Sequence, residues 1–316
     1  EFFVAEVDES DRTHLAHRPA HLLITNLEAD HLDAYAGIDE LVASFVELAR
    51  AQAARAPRGK LLVGRYGPAC EALIGALRAQ GIPFATSSTA FDADYTGAGS
   101  GDALVLARRG EELGRLASCL PSALDARNTV AAAAFALELG VSWEAVAAGV
   151  RRHQGLRDRF ELRQPAGRPW VVTDYTSHPT CIAGNLAALR SLGPERRLVA
   201  VFHPFRYSLL GHFWKDYVDA LAAADEVLVL PVDAAGEAPR AGLGQDELVA
   251  ALQARGAQAR GVSDLAALEL ELSGELGPQH SLVVFGGGPL FGLARRLAGE
   301  APDASEGRSN DTRDER

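Results

Sequence analysis

Short apolar runs and longer amphipathic stretches succeed one another along the 316-residue chain. FFVAE (2–6) and HLLITNL (21–27) read as strands that run into polar loops. Apolar spacing predicts an amphipathic helix over 41–56, a strand at GKLLVGR (59–65), a helix over 68–80 opened by a proline, and a strand at IPFATSS (82–88). Residues 86–101, rich in Ser, Thr, Gly and Asp, read as a surface loop or weak β segment. RNTVAAAAFALELG (127–140) is a helix that stops at a glycine, with a second helix over 142–155. The pattern resets at QPAGRP (164–169). Beyond it RPWVVTDY, RLVAVFHP, EVLVLPV and SLVVFG read as strands, each followed by a helix (179–192, 211–224, 245–255, 289–299), with a weaker strand near 258–262 and a helix over 264–272. Such alternation predicts a parallel sheet covered by helices, a Rossmann-like unit.

Composition narrows the classes. Hydrophobic residues at 47% and charged residues at 23% fit a folded globular chain. A net charge of −11 argues against a general nucleic-acid binder, whose footprint is a basic patch. An anionic substrate would need a local arginine cluster or a bound metal. No apolar run approaches the roughly 20 residues needed to span a bilayer, and the N-terminus lacks signal-peptide features. Cys70, Cys119 and Cys181 are scattered, without CxxC spacing, and read as reduced core thiols of a cytoplasmic protein. The chain starts inside an expected strand and holds no methionine, so it is expected to be part of something longer.

Two acidic clusters follow the first two expected strands: EVDESD (6–11) and EADHLD (28–33). Ligands of parallel α/β sheets collect at the carboxyl ends of strands, and carboxylates there suit Mg²⁺ arriving with substrate phosphates. The alternative is that these residues cap the helices that follow. Asn128 opens the Ala-rich helix and could equally be its N-cap. Arg157 and Arg159, in GLRDRF, precede the expected domain boundary; an arginine fork suits phosphate oxygens, and a solvated turn is the simpler reading. Asp174 and His178, in DYTSHP, follow the first strand of the second unit, where a carboxylate could hold a ribose hydroxyl. His203 and Arg206, in FHPFRYS, share that rim. GGGPLFG (286–292) is a glycine-rich turn explained by tight packing as well as by a phosphate cradle.

In this order, AEVDESD…NLEADHLD, RNTVAAAAFALELG, HQGLRDRFE, VVTDYTSHPT, VFHPFRYS, LPVDAAGEAP and LVVFGGGPLFG resemble the Mur ligase family over about residues 1–299. The resemblance implies an α/β chain: the rear part of a P-loop-type ATPase domain over 1–165, a Rossmann-like C-terminal domain over 168–299, and a disordered tail over 300–316. It implies an ATP-dependent carboxylate–amine ligase of peptidoglycan synthesis that uses ATP and Mg²⁺, with UDP-N-acetylmuramate and L-alanine as small-molecule partners. Glu6 and His31 would bind Mg²⁺ with Asp30 in support, Asn128 would contact adenine, Arg159 the ATP phosphates and Asp174 the ribose. Tyr175, His178 and Arg206 would face the amino-acid and muramate side, with Arg159, His178 and Arg206 the catalytic set. The chain departs from the family pattern at Leu124–Asp125, where the family has His-Asn, and at Ser177 and Phe205, each in place of a histidine. Leu209 replaces an arginine. The GKT/S phosphate loop is absent, the only lysines being Lys60 and Lys215. A degenerate, non-catalytic Mur-like module is the rival reading, and a Rossmann oxidoreductase built on GGGPLFG ranks below it.

Overall fold

A computed structural model describes residues 2–30, 34–176 and 178–301, which divide into two compact units meeting at Gln154 and Gly155. In the first unit β1 (Leu22–Ile24), β2 (Leu61–Gly64), β3 (Ala85–Ser88) and β4 (Tyr95–Ala98) are parallel neighbours in chain order. An antiparallel hairpin, β5 (Leu104–Arg108) and β6 (Glu111–Leu116), extends the sheet. Leu61 and Val63 pack with α1 (Ile38–Arg55) and α2 (Pro68–Ala79), while Leu62 packs with α3 (Ala123–Glu138) on the opposite face. A strand buried on both faces is apolar at every position, which is why β2 reads as an unbroken run. α4 (Trp143–Arg152) covers α3 and β6.

Two expectations change here. Residues 2–9 form no strand, and Phe3 is 95% exposed; a strand exists only where a ladder partner satisfies its backbone, and none of the described residues pairs with this segment. The helix expected from 127 starts at Ala123, because Ser122 caps it by accepting the Asp125 N–H at 3.0 Å. Of the two readings open for 86–101, the weak β segment holds where the end of β3 and β4 fall, the latter a strand whose sequence YTGA has little apolar pattern.

In the second unit the order is β11-β10-β9-β12-β8-β7, built from β7 (Glu161–Arg163), β8 (Trp170–Asp174), β9 (Arg197–Phe202), β10 (Glu226–Val229), β11 (Ala259–Gly261) and β12 (His280–Phe285). All pairs are parallel except β7 with β8. α5 (Pro179–Leu192), α6 (Tyr207–His212), α7 (Trp214–Leu221) and α8 (Gln245–Ala254) cover one face, and α9 (Leu265–Glu275) and α10 (Pro289–Ala298) the other. The single helix expected over 211–224 is broken at buried Phe213. The boundary expected at 164–169 moves back to Gly155, because GLRDRF and β7 bond to β8. Glu300, assigned to the tail, accepts from Arg163 Nε at 2.8 Å; the rest of that tail, 302–316, lies outside the described residues.

A short 3₁₀ turn, Thr13–Ala16, seats His14 against α1 at 2% exposure, its ring stacked on Phe45 and its Nε2 3.1 Å from Ser44 Oγ. Ser44 spends its proton on the Leu41 carbonyl, so His14 donates. Burial first, and then Arg12, lowers the imidazole below its ordinary value of 6.5. With the folded value depressed, the unfolded chain takes up a proton that the folded chain refuses. His14 therefore contributes stability above pH 6.5 that is lost as pH falls through its folded value. In urea titrations, the loss of stability of the first unit below pH 6.5 should be shallower in His14→Gln than in the parent; identical pH profiles would contradict this reading.

Candidate active site

β12 lies between β8 and β9, yet the chain leaves β12 toward one face and leaves β8 and β9 toward the other. This divergence marks the strand ends, the place where such sheets bind ligands. Three segments come together there: 175–178 after β8, of which 177 lies outside the described residues, 203–206 after β9 and 286–288 after β12.

Asp174 is 4% exposed and accepts three hydrogen bonds: from the Phe160 N–H at 2.8 Å, the Asn185 amide at 2.7 Å and the Thr176 N–H at 2.7 Å. Burial raises its carboxyl above the ordinary carboxylate range, against these donors and Arg159. Two of the bonds fall on Oδ2, so Oδ1 keeps one acceptor position beyond Thr176. The group expected to hold a ribose is thus first an organiser of the rim. Asn185 is the functional residue the sequence reading missed; its signal is a lone amide inside the apolar run of α5.

The Arg159 loop is stapled to the same rim. Tyr175 N–H donates to the Asp158 carbonyl at 2.7 Å, and Arg295, on α10 and 7% exposed, donates to Asp158 Oδ1 at 2.6 Å. Asp158 and Phe160 both sit at positive φ, +55° and +42°, a strained geometry that side chains other than glycine hold only when their surroundings enforce it. Arg159 itself is exposed, and its Nη1 reaches Thr176 Oγ1 at a long 3.4 Å.

His178 caps α5, its Nδ1 accepting the Thr180 N–H at 3.3 Å, with its ring edge-on to Phe213 at 4.8 Å. Arg206 stands at φ +57° with its guanidinium 5.2 Å from the Phe205 ring centroid. Its N–H donates to the Asp233 carbonyl at 2.7 Å, and Ser208 N–H donates to Glu237 at 2.8 Å. FHPFRYS and LPVDAAGEAP, remote in sequence, are therefore one structure. Burial pushes the His203 imidazole down, against the pull of Asp233. A Cβ on Gly286 would lie 3.1 Å from His203 Cβ and 3.0 Å from Leu290, and Gly288 stands at φ +53°. Packing and backbone geometry account for those two glycines, and the exposed Tyr175 ring lies over Gly287.

In the first unit Asn128 is not a cap. It is exposed in the second turn of α3, where Ser122 already fills the capping position. Asparagine is a poor helix former at such a site, so the cap explanation for it falls away. Glu28 and Asp30 follow β1, with Glu28 accepting from the Asn26 amide at 3.1 Å. The first acidic cluster docks nearby: Tyr35 O–H donates to the Glu9 carbonyl at 2.7 Å, and Arg12 reaches the Ala34 carbonyl at 3.0 Å and pairs with Glu40. Asp8 and Asp11 accept from Ser10 and Thr13, turning the chain locally. Glu6 is exposed on the strandless 2–9 segment, and His31 lies outside the described residues. Among the described residues no group of three His, Cys, Asp or Glu side chains is placed to hold a metal.

The chain is thus of the α/β class, two units each built on a mixed sheet, the second with a polar rim where the chain leaves neighbouring strands toward opposite faces. The family model for the Mur ligase glutamate ligase domain matches residues 158–288. The chain is 32% identical over 318 residues to a UDP-N-acetylmuramate–L-alanine ligase of Acidithiobacillus ferrooxidans, covering 96% of this chain and 67% of that protein. It is 32% identical over 308 residues to the enzyme of that name from a Geobacter species, covering 94% and 64%. The fold superposes on the UDP-N-acetylmuramate–alanine ligase of Thermotoga maritima with a TM-score of 0.72 at 20% identity, covering 92% of this chain and 62% of that one. The chain belongs to the Mur ligase family. It spans roughly two thirds or less of the length of these relatives, matching the central and C-terminal domains of the alanine-adding ligase.

Proposed function

We propose that the complete gene product joins L-alanine to UDP-N-acetylmuramate in the cytoplasm, using ATP to pass through an acyl phosphate. The names of the relatives support this reading, and no helix among the described residues is long and apolar enough to cross a membrane. The observation that carries it is the stapled loop that holds exposed Arg159 at the end of β8. A preorganised guanidinium there would stabilise charge on the transferring phosphoryl group without reorganising during the step. Asn128 would hold the adenine, and the remaining acceptor position of Asp174 Oδ1 the ribose. His178 and Arg206 would orient the amine and carboxylate partners, with Tyr175 as an apolar wall beside Gly287. Mg²⁺ usually takes only one or two carboxylates and keeps waters and substrate phosphates as its other ligands. Exposed Glu6, with His31, is the proposed pair, and ion-borne charge neutralisation is the chemistry it would add.

A second reading keeps the ligase and changes the amine. Phe205 is 41% exposed at the rim under Arg206, an apolar lip where the family pattern has histidine. Asn128→Ala in the complete gene product should raise the KM for ATP about tenfold, the worth of one good hydrogen bond set. Its melting temperature should not fall, because alanine is the better helix former. An unchanged KM for ATP would remove Asn128 from the nucleotide site.

A further inference from the structure

The parallel strands of the first unit carry a second concave site at their amino ends, the edge opposite Glu28 and Asp30. It encloses about 310 Å³ and is lined by Arg58, Lys60, Arg108 and Arg109, with Asp94, Glu138 and the ring of Phe84 completing the wall. Four cations thus face two carboxylates on a chain whose net charge is −11.

Helix carboxyl ends gather at this edge of a parallel sheet and favour cations by themselves. That accounts for Lys60 and Arg108, which converge on Glu138 near the end of α3 at 3.4 and 2.9 Å. It leaves Arg58 and Arg109 unexplained. Arg58 is exposed and has no hydrogen-bond or ion-pair partner among the described residues. The Arg109 backbone N–H donates to the Asp94 carbonyl at 2.8 Å, but its side chain reaches Asp94 only through Nε, at 3.3 Å, and is 74% exposed. Asp94 is itself engaged by the Thr86 N–H and hydroxyl, both at 3.0 Å.

The backbone supplies an independent sign. Arg109 and Gly110 form the two-residue turn of the β5–β6 hairpin, at φ +50° and +84°. That turn favours Asn or Asp before glycine, and an arginine there is held against its conformational preference. Strain of this sort collects at functional positions.

We propose that this cavity binds a compact anion of the phosphate class, with Arg58 and Arg109 as its two forks and Lys60 and Arg108 as supporting charge. Planar guanidinium groups match phosphate oxygens in pairs, and the volume suits a small molecule rather than a chain.

Titration calorimetry of this chain with inorganic pyrophosphate, and separately with inorganic phosphate, at ionic strength fixed by KCl, tests the site. We expect saturable one-site binding of pyrophosphate, about tenfold or more weaker in Arg58→Ala/Arg109→Ala and unchanged in Arg197→Ala, an arginine of the second unit outside both sites. Arg109→Asn separates binding from folding: it should raise the melting temperature by relaxing the turn and still weaken binding. Absence of saturable heat with either anion would overturn the proposal. So would binding that survives in both Arg109 variants or disappears in Arg197→Ala.

Discussion

Replacing Arg159 by alanine is expected to lower the turnover of the complete gene product by about 10²–10³-fold, the range found when one preorganised electrostatic donor is removed from a reacting centre. Folding should not suffer, because the side chain is exposed and its one bond to Thr176 spans 3.4 Å. Lysine should recover only part of the rate, since it replaces a planar fork by a point charge. Phosphate release under saturating ATP measures the effect, with melting temperature as the control. Turnover within about threefold of the parent would assign Arg159 to the solvent and remove the main electrostatic element from the account.

Arg295→Ala should be the most damaging single change to stability in the second unit. The guanidinium is 7% exposed and holds Asp158 Oδ1 at 2.6 Å. Removing it leaves a carboxylate whose side chain is only 18% exposed, with the Arg157 Nε at 3.7 Å as its remaining ion-pair partner. Breaking a buried pair from one side costs about 3–5 kcal/mol, and the Arg157 contact that remains places the expected loss at the lower end of that range. Asp158 sits at φ +55°, so the loop that presents Arg159 should loosen as well. Trp170 and Trp214 lie in the second unit and Trp143 in the first. Urea unfolding followed by fluorescence of Trp143→Phe variants reads the second unit; with two units, one midpoint for the whole chain would not be a defined quantity. The double variant Asp158→Asn/Arg295→Met should recover much of the loss because no buried charge is left unpaired, Arg157 being 55% exposed to solvent. A single-variant loss below about 1 kcal/mol would mean the pair behaves as an exposed one.

Much of the second unit was legible because its strands are buried on both faces and its helices alternate with them, so apolar runs mark each strand and its rim residues fall at the strand ends. Asp174, His178 and Arg206 were placed at the rim that way. The functions of their neighbours were not visible. Asn185 and Arg295 act on the rim through contacts between residues far apart in sequence, and nothing local distinguishes a buried amide or arginine from a solvated one. The 2–9 segment misled for a related reason: FFVAE has strand propensity, while a strand also needs a partner. Asn128 shows the reverse, since its sequence context suggested a cap and only the position of Ser122, six residues upstream, shows that the helix had already begun.

The most direct test of the account compares this chain, residues 1–316, with the complete gene product in one assay. Phosphate release is followed with ATP, Mg²⁺, UDP-N-acetylmuramate and L-alanine, each omitted in turn. The family phosphate loop that would cradle ATP is absent from the chain, and phosphoryl transfer depends on such a cradle. Release is expected from the complete product only when all four components are present, and none from residues 1–316 alone. Turnover by the isolated chain, or a complete product that releases no phosphate from ATP with any amino acid, would contradict it.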